Sequence, residues 1–168
     1  AVSMSSFIST RLFCYSFFDR QLIARGFDLR QGREFLSLKD ISVANLDVEV
    51  VESATEGMTG EDLVAHLRAS HRTEAYVVNP QGILIGVVPI LTALANPDQT
   101  ASALIGDDYL VLNLSDDLQQ ALGVARRFVG EAIPVVDEAG ALVGCLSEGA
   151  ILGGTLDRQE EVKGRERN

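Results

Sequence analysis

Apolar and polar positions along this chain fall into the same order twice. Residues 75–88 read Ala-Tyr-Val-Val-Asn-Pro-Gln-Gly-Ile-Leu-Ile-Gly-Val-Val, and residues 133–146 read Ile-Pro-Val-Val-Asp-Glu-Ala-Gly-Ala-Leu-Val-Gly-Cys-Leu. A constant offset of 58 residues sets Val77 against Val135, Val78 against Val136, Gly82 against Gly140, Leu84 against Leu142 and Gly86 against Gly144. A repeated unit of this length is a supersecondary module, and two copies bury a shared core between them. Two apolar runs around a Gly-bearing turn predict a strand hairpin in each copy. The strands fall at 75–79 and 83–88 around Pro80-Gln81-Gly82, and at 133–136 and 141–146 around Glu138-Ala139-Gly140.

Helical spacing precedes each hairpin. Leu63, Val64 and Leu67 form one buried face, opened by Thr59 with acid at Glu61 and Asp62. Leu118, Ala121, Leu122, Ala125 and Phe128 form the other, with Ser115 as the predicted cap. Short strands are predicted ahead of these helices, at 47–51 and 109–112. Short helices close the units, over 90–94, ended by Asn96-Pro97-Asp98, and from Ser147 through Leu152. Each unit therefore reads β-α-β-β-α, an α/β fold. The hairpins are too apolar to leave a face in water, so helices or the other repeat must cover them.

Residues 1–37 have a different texture. Five of the seven Phe lie between Phe7 and Phe27. Phe7, Ile8, Leu12, Tyr15, Phe18 and Leu22 fit a helical period that Gly26 ends. The apolar part over 12–18 is too short to span a bilayer. It is either an amphipathic helix that packs on the body or on a second copy, or the cytoplasmic end of a membrane helix, for which the basic residues that follow fit the positive-inside bias. Ala1 in place of Met points to a trimmed start, and no signal-peptide pattern is present. The expected organisation is a helix and linker over 1–37, repeat 1 over 38–98, repeat 2 over 99–155 and a charged tail over 156–168.

Charge narrows the partners. The net charge is −10. Residues 1–33 hold five Arg against two Asp, so the remainder carries −13. Phosphate-rich partners need clustered Lys and Arg, which argues against nucleic acid. Cys14 and Cys145 lie in different environments, so no disulfide framework is implied and a reducing compartment is expected. His66 and His71 are five apart and do not share a helix face, which places them on the surface. The acidic pairs Asp107-Asp108, Asp116-Asp117 and Glu160-Glu161 read as turn and helix-start charges, because adjacent side chains point apart. No catalytic triad order, P-loop or dinucleotide Gly motif occurs, and no enzyme is expected.

The run Ile133-Pro134-Val135-Val136-Asp137, then Gly140-Ala141-Leu142-Val143-Gly144 and a short helix, resembles the cystathionine-β-synthase (CBS) domain. Residues 75–88 are a looser copy, and the resemblance covers about 38–155. It implies a tandem CBS pair packed through its sheets, a homodimer of such pairs, and a regulatory role with an adenine nucleotide between repeats. Residues 16–33, Ser-Phe-Phe-Asp-Arg-Gln-Leu-Ile-Ala-Arg-Gly-Phe-Asp-Leu-Arg-Gln-Gly-Arg, resemble the junction in ClC-type chloride channels and transporters. There the last membrane helix enters the cytoplasm and leads to a CBS pair. The resemblance implies a fragment on the cytoplasmic face of an integral membrane protein, partnered by the channel domain of the same full-length chain and modulating chloride movement, whether through a voltage-gated channel or a proton-coupled exchanger. The acidic body should project away from an anionic inner leaflet. Phe18 stands where that family has an anion-contacting Tyr and lacks its hydroxyl, so no anion-site residue is carried over. The alternatives are a ligand-free dimerisation scaffold and a soluble stand-alone CBS pair.

In nucleotide-binding CBS repeats the last strand runs into Ser/Thr-x-x-Asp. The hydroxyl meets phosphate at a helix start, and the Asp accepts from ribose hydroxyls. Repeat 2 offers Ser147 with Ala150 in place of the Asp; repeat 1 offers Pro89 and Thr92. The resemblance therefore implies a degenerate site for AMP, ADP or ATP on the Ser147 side, with Ile133 and the backbone beside Leu112 completing it. A lost ribose acceptor should weaken such a ligand about ten- to a hundredfold.

Overall fold

The 58-residue offset reappears in three dimensions. The computed structural model describes residues 38–106 and 108–156. In repeat 1, β1 (Ala54–Thr55) runs parallel to β2 (Glu74–Val78), which pairs antiparallel with β3 (Leu84–Pro89). In repeat 2, β4 (Leu112–Asn113), β5 (Ile133–Val136) and β6 (Leu142–Leu146) repeat that order. Both ladders slip at the same place, between Val77 and Val78 and between Val135 and Val136. Gly82 and Gly140 turn the two hairpins at φ 81°, a left-handed conformation that a Cβ resists.

Helix α1 (Gly60–Ala69) crosses over in repeat 1, followed after the hairpin by α2 (Ile90–Ala95) and by α3 (Ala101–Leu104). Helix α4 (Leu118–Ala125) crosses over in repeat 2, and residues 148–156 are helical again. The crossover helices start 58 residues apart. Thr59 caps α1 in a reciprocal box with Asp62, and Asp117 caps α4 in the same box with Gln120. The expected cap Ser115 is thus displaced by Asp117, whose carboxylate accepts the Gln120 N–H at 2.8 Å. The expected strand over 47–51 shrinks to one bridge, Glu49 to Cys145, and the paired strand comes later, at Ala54–Thr55. Helix α3 was not foreseen. His71 lies beyond α1, past its cap Ser70, and His66 is half-buried with Nε2 3.4 Å from the Glu52 carbonyl. The expected N-terminal helix, Cys14 and most of the charged tail lie outside the described residues.

Each repeat has its own core, and a third cluster joins them. Leu63, Leu67, Ala75, Val77 and Val88 anchor the first; Leu112, Leu118, Leu122, Ile133, Val135, Leu146 and Ile151 anchor the second. Full burial of each aliphatic side chain contributes roughly 1.5–3 kcal/mol. Leu38 and Val43 precede repeat 1 in sequence yet sit in the core of repeat 2. Their backbone is bound there as well: Val43 N–H donates to Asp116 O at 2.8 Å and Leu118 N–H to Ile41 O at 2.8 Å.

The sheets meet along Tyr76, Leu84, Ala132, Val136 and Cys145. At one end the hairpin tips trade hydrogen bonds, Leu84 N–H to Gly140 O at 3.0 Å and Leu142 N–H to Gly82 O at 3.1 Å. At the other end Glu131 accepts from Thr73, at 2.7 Å from its N–H and 2.8 Å from its hydroxyl. Thr73 and Glu131 are themselves 58 apart, so the internal two-fold passes between them.

Candidate functional site

A cleft of about 750 Å³ opens beside this seam, with walls from both repeats. Val87 and Pro89 come from β3, Thr92 from α2, and Ala132 and Pro134 from the start of β5. Residues two apart on a strand share a face, which is why each strand offers alternate positions. The connector between α3 and β4 supplies Asp108, Tyr109 and Leu110, and the loop after α4 supplies Arg127, Phe128 and Val129. The volume suits a small molecule.

Gly130 lets two of the lining side chains pack close to the backbone. A Cβ on Gly130 would lie 2.6 Å from Phe128 Cζ and 2.8 Å from both carboxylate oxygens of Glu74. Glu74 is held from the other repeat, accepting the Glu131 N–H at 3.1 Å. Pro89 caps α2 at φ −65° without a side-chain hydrogen bond, and as proline it has no N–H to present. The charged groups lining the cleft are Glu74 and Asp108 against Arg127.

At the repeat offset the lining residues Ala132 and Pro134 correspond to Glu74 and Tyr76, and Gly130, which neighbours the cleft-lining Phe128 and Glu74, corresponds to Arg72. Tyr76 is 1% exposed, and its hydroxyl donates to Ala132 O at 2.9 Å. Burial pushes its phenol well above the ordinary tyrosine value, and also raises the neighbouring Cys145 thiol. The Arg72 guanidinium meets Glu49 at 2.7 Å and Glu131 at 3.3 Å. Burial alone would lower its pKa; the Glu49 contact outweighs that and holds it above the ordinary value. These positions are taken by the protein's own groups.

None of the residues expected to form a ligand site lines the open cleft. Leu112 and Ile133 are fully buried in the repeat 2 core, and Ala150 packs against it. Ser147 is exposed, and its hydroxyl accepts the Ala150 N–H at 3.2 Å as a helix cap. Pro89 and Thr92, the degenerate motif positions of repeat 1, do line it, whereas Asp108, Tyr109, Arg127 and Phe128 carry no motif. The available signal was the contrast of Gly130, Ala132 and Pro134 with Arg72, Glu74 and Tyr76 at the repeat offset. Among the described residues no cluster of His, Cys, Asp or Glu is placed to hold a metal ion, and no helix is long and apolar enough to cross a membrane.

Comparison with known proteins agrees with this architecture. A curated homoserine O-acetyltransferase from Methanohalophilus mahii is 28% identical over 117 residues, 68% of this chain and 24% of that enzyme. The cytosolic domain of the Mg2+ channel MgtE in complex with ATP superposes with a TM-score of 0.61 at 23% identity, over 72% of this chain and 51% of that one. CBSX2 in complex with AMP gives 0.61 at 20% identity, over 71% and 98%. The chain thus spans about a quarter of the enzyme and half of the MgtE domain. The CBS domain family matches residues 101–155, and the described chain has the fold of a CBS pair, two β-α-β-β-α repeats with facing three-stranded sheets.

Proposed function

We propose that this chain is a regulatory, non-catalytic CBS pair that reads a small ligand of the adenine nucleoside or nucleotide class in the cleft beside Pro89. The observation that carries the proposal is that one cleft takes walls from both repeats. A ligand there touches both, so it stabilises one relative setting of the repeats and shifts their equilibrium by its differential affinity. The AMP and ATP complexes of similarly folded pairs support the ligand class. Leu91 and Leu94 project from α2 at 75% and 50% exposure, and they offer an apolar face for a second copy, supporting a homodimer. Calorimetry of the chain with adenosine, AMP, ADP and ATP tests the reading. Heat with one site per chain is expected; no heat at millimolar ligand from any of the four would replace the sensor by a ligand-free scaffold.

A second reading rests on residues 16–33, whose order resembles a ClC channel junction. On that reading the pair serves a chloride channel or transporter. The similar structures described above are a magnesium channel's cytosolic domain and a separate CBS protein, so the chloride assignment stands on that segment alone. The coding sequence upstream of Ala1 decides it: successive apolar segments of about 20 residues are expected of a channel, and a nearby start codon leaves a stand-alone CBS pair.

A further inference from the structure

We infer that the Pro89-side cleft selects an uncharged purine nucleoside over its phosphorylated forms, one per chain. The inference rests on the reading of this cleft as the ligand site of a regulatory pair. A phosphate needs fixed donors or clustered cations. The residue that opens α2 beside the cleft is Pro89, with neither hydroxyl nor N–H to give. Two carboxylates, Glu74 and Asp108, line the cleft against one guanidinium, Arg127. Glu74 is fixed in place by the Glu131 N–H at 3.1 Å. A phosphate entering here meets an excess of like charge and no donor at the cap position of α2, where Thr92 in the first turn offers one hydroxyl.

A nucleoside presents the opposite chemistry. Its base is a flat aromatic surface, for which Tyr109 and Phe128 supply rings and Val87 and Pro134 supply apolar wall. Its ribose hydroxyls and exocyclic amine are donors, and ionised carboxylates are pure acceptors. The cleft thus matches a ligand that brings donors and apolar area without negative charge. On the mirrored side Tyr76 and Arg72 stand where Pro134 and Gly130 stand here, which leaves less room for a second copy.

The test is calorimetric titration of the full chain with adenosine, AMP and ATP at two ionic strengths. Adenosine should bind at one site, AMP about tenfold more weakly and ATP more weakly still. Added salt should narrow the gap by screening the carboxylates. Asp108→Asn, an exposed change, should narrow the ratio of adenosine to AMP affinity by removing a like charge, and Pro89→Ser should narrow it by adding a donor. AMP binding as tightly as adenosine would overturn the selectivity and leave the ligand-reading cleft intact. Binding by none of the three overturns both. Adenosine affinity untouched by Tyr109→Ala overturns the location.

Discussion

On one side of the sheet seam, Ala132 and Pro134 line a cleft of about 750 Å³; 58 residues earlier, Glu74 and Tyr76 occupy the corresponding positions, with Arg72 in the place of Gly130. The strands, bulges and hairpin glycines of the two repeats match one for one. Duplication has therefore kept the scaffold and let the two sides of its axis specialise. One is an open cleft, and the other a tie made of the protein's own side chains. Glu74 takes part in both, since it lines the cleft while sitting at the mirrored position of Ala132.

The comparison can be broken most severely at Tyr76. Tyr76→Ala should cost about 3–5 kcal/mol, because a fully buried ring bridging both sheets is removed. Urea denaturation gives the value, and a loss below 1 kcal/mol would mean that the ring does not fasten the sheets. Arg72→Ala comes next, at about 1–2 kcal/mol. Its guanidinium is largely buried, whereas Glu49 is 69% exposed, so Glu49→Ala should cost less than about 1 kcal/mol. Equal losses from both would contradict the assignment of the tie to Arg72.

The open side is sharpened by Gly130→Ala. The new methyl displaces Phe128 Cζ and the Glu74 carboxylate, both ends of movable side chains. Stability should change by less than about 1 kcal/mol, while affinity for adenosine drops about tenfold. Unchanged affinity would remove Phe128 and Glu74 from the site.

The smallest effect lies in the helix caps. The Thr59 hydroxyl and backbone N–H hold the Asp62 carboxyl below its ordinary value of 3.8. A carboxylate whose pKa is depressed by folding stabilises above its unfolded value and loses that contribution as pH falls through the folded one. Asp62→Asn should therefore lower stability slightly at pH 7 and reduce the acid sensitivity below pH 3.8. Repeat 2 carries Gln120 at the corresponding place, which does not titrate. Thermal melts of the variant at pH 7 and pH 3 check the difference.

These differences explain what the sequence could and could not disclose. The hairpins were legible because Gly82 and Gly140 interrupt apolar runs that can only be strands. Helix α1 was legible because Thr59 and Asp62 stand at capping-box spacing. Ser115 misled because it too is a good cap by type; the repeat offset from Thr59 points instead to Asp117. The strand over 47–51 misled because apolar content does not reveal a pairing partner, and Glu49 finds only Cys145. Ser147 stands at its motif position and caps the helix that follows, its hydroxyl accepting the Ala150 N–H. Whether a cleft is open depends on side-chain volume across the seam, at Gly130 and Tyr76, and no local pattern around Ser147 contains that.

The placement of Leu38 and Val43 in the repeat 2 core has a consequence for how the chain reaches its fold. Val43 must close a loop of more than seventy residues to bind Asp116. Contacts of such sequence separation slow folding, because chain entropy is lost before the contact returns anything. On a ribosome these residues emerge early and wait for Leu118, Ile133 and Leu146 to be made. Until then two apolar side chains destined for the interior remain without cover, and repeat 2 cannot finish without them. The pair should consequently refold in a single slow phase set by docking of its leading segment, and stopped-flow kinetics of a Val43→Ala variant should show that phase slowed.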